Sequence, residues 1–225
     1  MKQHTIQSSF HFEGKGLQTG LNISATFLPA EANTGVQLCR TDLPGKPTYQ
    51  ALADYVSATE RGTVLERGAW KISTVEHALS ALYAMGIDNC LIEVDGPELP
   101  DLTDYPREIA AARTFCFVRE IEPLLRMGLI KGGDLQNALV IYETPMSQEG
   151  LDYMTDKLGQ PRLDATKLGY LSPLNYQNEP SRHKLLDLIG DMSLLGCRIQ
   201  GRIIALRPGH TFNTQCCRQL RNKII

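Results

Sequence analysis

The sequence predicts an α+β fold in two units, residues 1–104 and 105–225. Short strand-like runs, a helical pattern and a further strand-like run follow one another in the first half, and the same order recurs in the second half. Two such groups favour two α+β units over a single layered sheet. Gly96–Arg107 lies between them, carries three prolines and has no clear periodicity, which is typical of a linker. The boundary is therefore predicted near residue 104.

The first unit is predicted to contain several strands and one helix. Apolar residues at helical spacing predict the helix over Thr74–Met85, and Gly86 follows as a typical C-terminal stop. Runs of alternating or β-branched residues bounded by turn residues predict strands over Thr5–Phe12, Leu21–Leu28, Val36–Cys39, Gly62–Leu65 and Leu91–Val94.

The second unit is predicted to repeat this order with fewer strands. Ala138–Tyr142 is predicted to be a strand, His183–Leu195 a helix and Ile203–Leu206 another strand. The stretch Ser147–Asn178 is polar and irregular apart from a helical pattern over Gln148–Lys157. Most of it is therefore expected to be connection.

Length, composition and charge bound the class of protein. The chain has 225 residues, of which 42% are hydrophobic, enough for a core of ordinary size. The net charge of −2 comes from well-mixed residues, which excludes a global attraction to nucleic acid or an anionic membrane. There is no signal-peptide pattern and no segment near the about 20 apolar residues that span a bilayer. Six scattered cysteines without a CxxC pair indicate reduced thiols, so we expect a cytoplasmic protein.

Two of the five histidines stand beside carboxylates in predicted helices. His183 and Asp187 are four residues apart and share one helix face, where they can offer a nitrogen and an oxygen to one ion. A catalytic zinc takes three protein ligands and keeps a position open for water, and His77 is the natural third ligand. Its neighbour Glu76 would then lie near the metal, where a carboxylate can accept the proton of an attacking water.

Structural roles explain the same residues without any chemistry. Ser73-Thr-Val-Glu76 fits the S-x-x-E capping box, in which the glutamate reaches back to the amide of the serine. His77 could equally be a partly buried polar residue, and His183 with Asp187 could be a surface pair worth about 0.2–0.5 kcal/mol. Spacing alone does not show that the two helices meet.

A third histidine, His210, follows the predicted Ile203–Leu206 strand in the segment Arg207-Pro-Gly-His-Thr211. A glycine-containing turn there would expose His210 at a strand end, a common place for function. Asp191 lies one turn beyond Asp187 and could hydrogen-bond the His210 ring, which would favour its protonated form. Such a pair could serve as an acid to a leaving amine or as a positive charge near an oxyanion. The alternative is an ordinary loop histidine.

Three motifs stand out together, in the order Ser73-Thr-Val-Glu-His-Ala-Leu-Ser-Ala-Leu82, His183-Lys-Leu-Leu-Asp-Leu-Ile-Gly-Asp191 and Pro208-Gly-His-Thr211. In this order they resemble the UDP-3-O-acyl-N-acetylglucosamine deacetylases of lipid A biosynthesis. Supporting segments extend the resemblance over nearly the whole chain; they are Gly14-Lys-Gly-Leu-Gln-Thr-Gly20, Gly86-Ile-Asp-Asn89, Ala112-Arg-Thr-Phe-Cys-Phe117 and Gly132-Gly-Asp-Leu-Gln-Asn-Ala138.

The resemblance implies a fold, a reaction and a setting. The fold would be two similar α/β-sandwich domains packed face to face with one zinc ion between them. The reaction would be hydrolysis of the N-acetyl group of UDP-3-O-(3-hydroxyacyl)-N-acetylglucosamine, which releases acetate in the committed step towards lipid A in Gram-negative bacteria. The partner is thus an acylated UDP-sugar, with no nucleic acid and no membrane insertion, and a monomer is expected.

The resemblance also assigns roles to individual residues. Zinc, with Fe²⁺ as the other candidate metal, would be held by His77, His183 and Asp187. Acid–base catalysis would fall to Glu76 as base and to His210 oriented by Asp191. Oxyanion and substrate contacts would fall to Thr114, Lys184, Phe115, Arg207 and Gly133. The segment Thr114–Ile141 resembles the β-α-β insert that lines a passage for the acyl chain.

Two departures from the family pattern matter. Gln18 stands where the family usually has histidine, which would weaken a contact on the nucleotide side. The chain also passes from Asp101-Leu-Thr-Asp104 almost at once to Ala112-Arg-Thr114, where the family has a long stretch, so the second domain is expected to be shortened. Two rival hypotheses remain: a non-catalytic relative or fragment that binds zinc or a sugar nucleotide, and a different zinc amidase.

Overall fold

The computed structural model describes residues 2–100, 112–157, 159 and 161–224. It confirms the predicted α+β class. The five described α-helices are α1 (Glu76–Ala84), α2 (Val118–Arg126), α3 (Gln148–Lys157), α4 (Glu179–Ser193) and α5 (His210–Ile224). The described strands are β1 (Phe10–Lys15), β2 (Asn22–Pro29), β3 (Val36–Arg40), β4 (Thr48–Gln50), β5 (Val56–Ala58), β6 (Val64–Arg67), β7 (Trp70–Ile72), β8 (Cys90–Val94), β9 (Thr114–Phe117), β10 (Ala138–Tyr142) and β11 (Gly169–Tyr170).

The contacts of the chain divide it into two compact units. Unit 1 comprises Met1–Gly14, Asn22–Pro100 and Lys184–Ile225, and unit 2 comprises Lys15–Leu21 and Asp101–His183. Residues 184–225 thus group with the N-terminal part of the chain. The boundary predicted near residue 104 lies outside the described residues. No helix of the described ranges is long and apolar enough to cross a membrane.

Unit 1 is built on a five-stranded sheet with the order β1-β2-β8-β3-β4. Strands β3 and β8 pair in parallel, while β2–β8 and β3–β4 are antiparallel. In β2, Ile23, Ala25 and Phe27 alternate with exposed or half-buried residues, so one face of the sheet enters the core. Strands β5, β6 and β7 form a separate three-stranded sheet.

Helices α1 and α4 carry apolar residues into the core of unit 1. Leu79 and Leu82 of α1 lie in the same hydrophobic cluster as Met192 of α4 and Cys217 of α5. The predicted helix over Thr74–Met85 is thus present with slightly shorter bounds. The long helix predicted from His183 starts a turn earlier, at Glu179.

The predicted strand Ile203–Leu206 is wrong, because this segment is irregular. Its side chains are turned to solvent, with Ile203 51%, Ile204 71% and Leu206 88% exposed. A β-branched run forms a strand only when a neighbouring strand accepts its hydrogen bonds and packs its side chains. Within the described parts of the chain, no strand pairs with this run. The predicted Thr5–Phe12 strand is also displaced, since β1 starts at Phe10 and Thr5 makes an isolated bridge to Asn89.

Unit 2 contains a three-stranded sheet with the order β11-β10-β9. Strands β9 and β10 are parallel and α2 lies between them in sequence, so Thr114–Ile141 forms the β-α-β unit that the resemblance implied. Val118 and Ile121 of α2 pack with Val140 and Tyr142 of β10. The helix predicted over Gln148–Lys157 is α3.

A buried ion pair between Arg113 and Glu179 ties unit 2 together. The Arg113 guanidinium donates to both carboxylate oxygens of Glu179, at 2.9 and 3.1 Å, and also to the carbonyls of Leu135 and Pro173. Burial alone would raise the pKa of Glu179, but these bonds and the amides of Arg113 and Asn175 outweigh it, and the pKa lies below its usual value. Glu179 is therefore ionised and fixes the start of α4.

Candidate metal and active site

Glu76 is the first residue of α1, and its carboxylate is buried. The capping-box alternative is wrong, because the Ser73 amide donates to the carbonyl of Pro97 and no side chain caps the helix. The Glu76 carboxylate instead accepts the backbone N–H of Thr63 at 3.0 Å. Burial raises the pKa of Glu76 to about 7, the nearby Asp191 adds to the rise, and His210 opposes it. A carboxylate with a pKa near neutrality suits a general base.

Helices α1 and α4 lie in close contact at Gly190. A Cβ built on Gly190 would lie 2.1 Å from the carbonyl oxygen of Glu76. Only glycine therefore allows α4 to pack at this distance from the start of α1. The approach places Asp187 and Asp191, one turn apart on α4, beside the Glu76-His77 pair. Sequence reasoning missed this role, although a glycine inside a helical pattern is a recognised sign of close packing.

Replacing Gly190 with alanine is expected to destabilise unit 1 by about 1–3 kcal/mol, because the new methyl group forces the two helices apart. An alanine in a helix normally stabilises relative to glycine, so a loss of stability identifies the contact. Urea unfolding followed by the fluorescence of Trp70, the single tryptophan and a buried residue of unit 1, measures the change.

The matched control for that prediction is Gly201→Ala, since a Cβ at Gly201 has no heavy atom within 4 Å among the described residues. A stability of Gly190→Ala equal to or above that of the control would contradict the packing argument.

Asp187 and His77 meet across the two helices, with His77 Nε2 3.9 Å from Asp187 Oδ1. His183 lies one turn before Asp187 on α4 and therefore shares the helix face of Asp187. His77, His183 and Asp187 all carry side chains of the metal-ligand type. Desolvation lowers the pKa of His77, although the negative charge of Asp187 opposes this effect. A lowered pKa favours the neutral ring, which is the form that binds a metal.

The ring of His183 is oriented by unit 2. Its Nδ1 lies 2.8 Å from the carbonyl oxygen of Ala112, which can only accept, so the ring donates its Nδ1 proton to that oxygen. The Phe115 ring contacts the His183 ring edge to face at 6.2 Å between centroids. A backbone carbonyl behind a histidine is the usual outer support of a metal ligand.

A second group consists of Glu76, Asp187 and His210, whose potential ligand atoms all lie within 4.8 Å of one another. Burial alone would lower the pKa of His210, but its hydrogen bond to Asp191 and the charges of Glu76 and Asp187 raise it to about 9. A pKa above neutrality favours the protonated ring, so His210 suits the role of an acid better than that of a metal ligand. Two imidazoles and a carboxylate are a typical catalytic zinc set, so the residue types of His77, His183 and Asp187 fit the ion.

Asp191 contacts His210 as the sequence predicted, with Nδ1 2.9 Å from Oδ2. His210 does not stand in a turn at a strand end, however, because it is the first residue of α5. The sequence did not predict two further donors to Asp191. The Asn213 amide donates to Oδ2 at 2.9 Å, and the Thr63 hydroxyl donates to Oδ1 at 2.5 Å. Asn213 lies one turn after His210 on α5, a spacing that could have identified it.

The remaining predicted residues lie at several places in the fold. Lys184 donates its ammonium to Asp187 Oδ2 at 2.7 Å. Thr114 is the half-buried first residue of β9. Gly133 follows α2 in a turn, where its amide donates to the carbonyl of Ile130. Arg207 is exposed in the irregular segment before α5, with a positive φ of 52°.

The fold and the site define an α+β protein with a buried cluster of imidazole and carboxylate groups of the kind that holds a catalytic metal. A sequence model described as UDP-3-O-acyl N-acetylglycosamine deacetylase matches residues 3–104, 101–158 and 162–222. The chain belongs to this family. The first two matched segments overlap at residues 101–104, next to the predicted missing stretch.

Curated relatives give the same family. The chain is similar to the bifunctional enzyme LpxC/FabZ of Bacteroides thetaiotaomicron, with 43% identity over 300 residues that cover 100% of this chain and 65% of the relative. The bifunctional enzyme LpxC/FabZ of Porphyromonas gingivalis is 41% identical over 299 residues, which cover 99% of this chain and 65% of the relative. The UDP-3-O-acyl-N-acetylglucosamine deacetylase of Nostoc sp. is 30% identical over 299 residues, with 98% of both chains covered.

The chain therefore spans about 65% of the length of the two bifunctional relatives. Each of these matches also extends over 299 or 300 residues, whereas the chain has 225, so the relatives carry residues that have no counterpart here.

Proposed function

We propose that this protein hydrolyses the N-acetyl group of UDP-3-O-(3-hydroxyacyl)-N-acetylglucosamine in a zinc-dependent reaction that releases acetate. The proposal is carried by the contact between α1 and α4. There the buried Glu76, whose pKa is raised to about 7, precedes His77, and His77 Nε2 lies 3.9 Å from Asp187 Oδ1. Membership of the deacetylase family supports this substrate class. The reaction would be the committed step of lipid A biosynthesis in a Gram-negative cytoplasm.

The proposed metal ligands are His77, His183 and Asp187. When bound, zinc would polarise the acetyl carbonyl and lower the pKa of a water molecule. Fe²⁺ is the alternative ion, since the same ligands suit it. The arrangement of two similar α/β-sandwich domains around the ion, with the second one shortened and the chain a monomer, is part of the proposal and derives from the family resemblance.

The proton transfers fall to Glu76 and His210. Glu76, with its pKa near neutrality, accepts a proton from the water as the water attacks the acetyl carbon. His210 is protonated, and its Nε2 lies 3.9 Å from Glu76 Oε1, so the two groups face the same space. From there His210 donates a proton to the departing amine, while Asp191 holds the ring orientation and stabilises its charge.

The substrate contacts are proposals of the same kind. Thr114 would hydrogen-bond the tetrahedral oxyanion, and Phe115 and Gly133 would contact the acylated sugar. Lys184 and Arg207 would serve the diphosphate side, which requires the ammonium of Lys184 to leave its present bond to Asp187.

The experiment that tests the function is acetate release from UDP-3-O-(3-hydroxyacyl)-N-acetylglucosamine by the purified chain, with zinc removed by chelation and then restored. Activity that disappears with the metal and returns with it supports the proposal. The same assay with a substrate that lacks the 3-O-acyl chain distinguishes this activity from that of a different zinc amidase. No turnover by a folded, zinc-loaded chain would contradict the proposal.

Replacing His77 with alanine is expected to abolish stoichiometric zinc binding while the chain stays folded, because one of three protein ligands is lost. Elemental analysis of the dialysed variant measures the zinc content. His11→Ala is the matched control, since His11 is an exposed residue of β1 whose ring contacts Thr26. One zinc per chain in folded His77→Ala would show that the ligand assignment is wrong.

A second candidate function is favoured by the residues that the relatives carry and this chain lacks. In that case the chain binds zinc or an acylated sugar nucleotide without turnover. Zinc that raises the temperature of a cooperative unfolding transition, together with no acetate release, would support this alternative.

A further inference from the structure

The loop before β6 enters the site through a strained turn. Arg61 has a φ of 61° and Gly62 a φ of 145°, both in the region that side chains disfavour. A Cβ on Gly62 would lie 3.1 Å from Glu76 Oε1, so a larger residue would crowd the carboxylate. Strain of this kind persists where surrounding structure enforces it, and it concentrates at functional sites. The residue that this turn delivers is Thr63.

Thr63 is fully buried and contacts three groups of the site. Its backbone N–H donates to Glu76 Oε2 at 3.0 Å. Its hydroxyl donates to Asp191 Oδ1 at 2.5 Å, and the same oxygen lies 3.2 Å from His210 Nδ1. One residue therefore joins the side chains that α1, α4 and α5 bring to the site.

We propose that Thr63 is a positioning residue that holds Glu76 and the Asp191–His210 pair at a fixed separation. The inference rests on the proposed function, because it assigns Thr63 a part in the same reaction. Glu76 receives the amide of Thr63 on one oxygen, so its other oxygen points towards His210 Nε2, 3.9 Å away. The hydroxyl donates to Asp191 Oδ1, while His210 Nδ1 and the Asn213 amide contact Asp191 Oδ2.

The physical reason is that both proton transfers depend on distance. A base and an acid act on one substrate only if each lies within hydrogen-bond reach of its own reacting atom. The Asp191 carboxylate could rotate about its side-chain bond if Oδ1 had no donor, and the His210 ring would follow. The Thr63 hydroxyl removes this freedom by its hydrogen bond to Asp191 Oδ1.

The test compares Thr63→Val with Thr63→Ser. Valine keeps the shape and the backbone amide but lacks the hydroxyl, and serine keeps the hydroxyl. We expect kcat of Thr63→Val to fall about 10–100-fold, the usual effect of losing an outer-shell hydrogen bond. KM and zinc content should stay unchanged, and Thr63→Ser should restore most of kcat. Thr59→Val is the matched control, because it makes the same chemical change at a threonine whose hydroxyl lies 2.8 Å from the Thr211 hydroxyl.

A second readout does not depend on turnover. Long-range ¹H–¹⁵N spectra of histidine-labelled protein report the hydrogen bonding of each ring. The His210 Nδ1 resonance should shift in Thr63→Val and stay in place in Thr59→Val. If the unmodified chain releases no acetate but this resonance shifts as expected, the function fails and the positioning contact stands.

Either of two results would overturn the inference. One is a folded Thr63→Val with the kcat and the His210 resonance of the unmodified chain. The other is a Thr63→Ser that loses as much kcat as Thr63→Val, since packing and not the hydroxyl would then be what matters.

Discussion

Replacing Glu76 with glutamine is expected to lower kcat for acetate release by about 10²–10⁴-fold, the usual contribution of a positioned general base. The amide has nearly the same size as the carboxylate but cannot accept the proton of the attacking water. KM should change little, because Glu76 is proposed to act in the transition state and not in substrate binding. Steady-state assays with the zinc content of each preparation measured in parallel provide the test.

Glu31→Gln is the control for this prediction, because it makes the same chemical change at an exposed residue of unit 1. If Glu76→Gln kept full zinc and more than about a tenth of kcat, a general-base role worth 10²-fold or more would be excluded. A variant that lost both zinc and activity would instead place Glu76 among the groups that hold the ion.

Replacing Arg113 with methionine is expected to destabilise the chain by about 3–5 kcal/mol, the range seen when one partner of a buried ion pair is removed. The guanidinium is 5% exposed and Glu179 is fully buried, so the remaining carboxylate would lose its compensating charge in the interior. The carbonyls of Leu135 and Pro173 would lose donors as well. Urea unfolding followed by far-ultraviolet circular dichroism gives the change in the free energy of unfolding.

Arg126→Met is the matched control, since its pair with Glu122 lies on the exposed surface of α2 and should contribute about 0.3–0.5 kcal/mol. The double variant Arg113→Met with Glu179→Leu should be more stable than Arg113→Met alone, because it leaves no buried charge unpaired. A loss below about 1 kcal/mol in Arg113→Met would show that solvent already reaches the pair.

The fold class and several elements were determined by local sequence pattern. Helical periodicity predicts α1 and α4 to within a few residues, because such a stripe can be buried only as a helix. The pairing of His183 with Asp187 on one face follows from their spacing of four on α4. The neighbouring positions of Glu76 and His77 place a carboxylate beside a ligand candidate whatever the fold.

Where local pattern and tertiary context disagree, context decides. The apolar run Ile203–Leu206 has the residues of a strand, yet it is irregular and exposed because strand formation requires a partner. Ser73 and Glu76 have the spacing of a capping box, yet the amide and the carboxylate each bond elsewhere, to Pro97 and Thr63.

By itself, the sequence determined the fold class, helices α1, α3 and α4, and the residue types that can bind zinc and move protons. Only the tertiary structure decided that α1 and α4 meet, through the missing side chain of Gly190, and that Thr63 joins Glu76 to Asp191 across 128 residues of sequence. The physical reason is that periodicity reports which face of an element is buried. It carries no information on which element lies opposite, and a site built from hydrogen bonds depends on that choice.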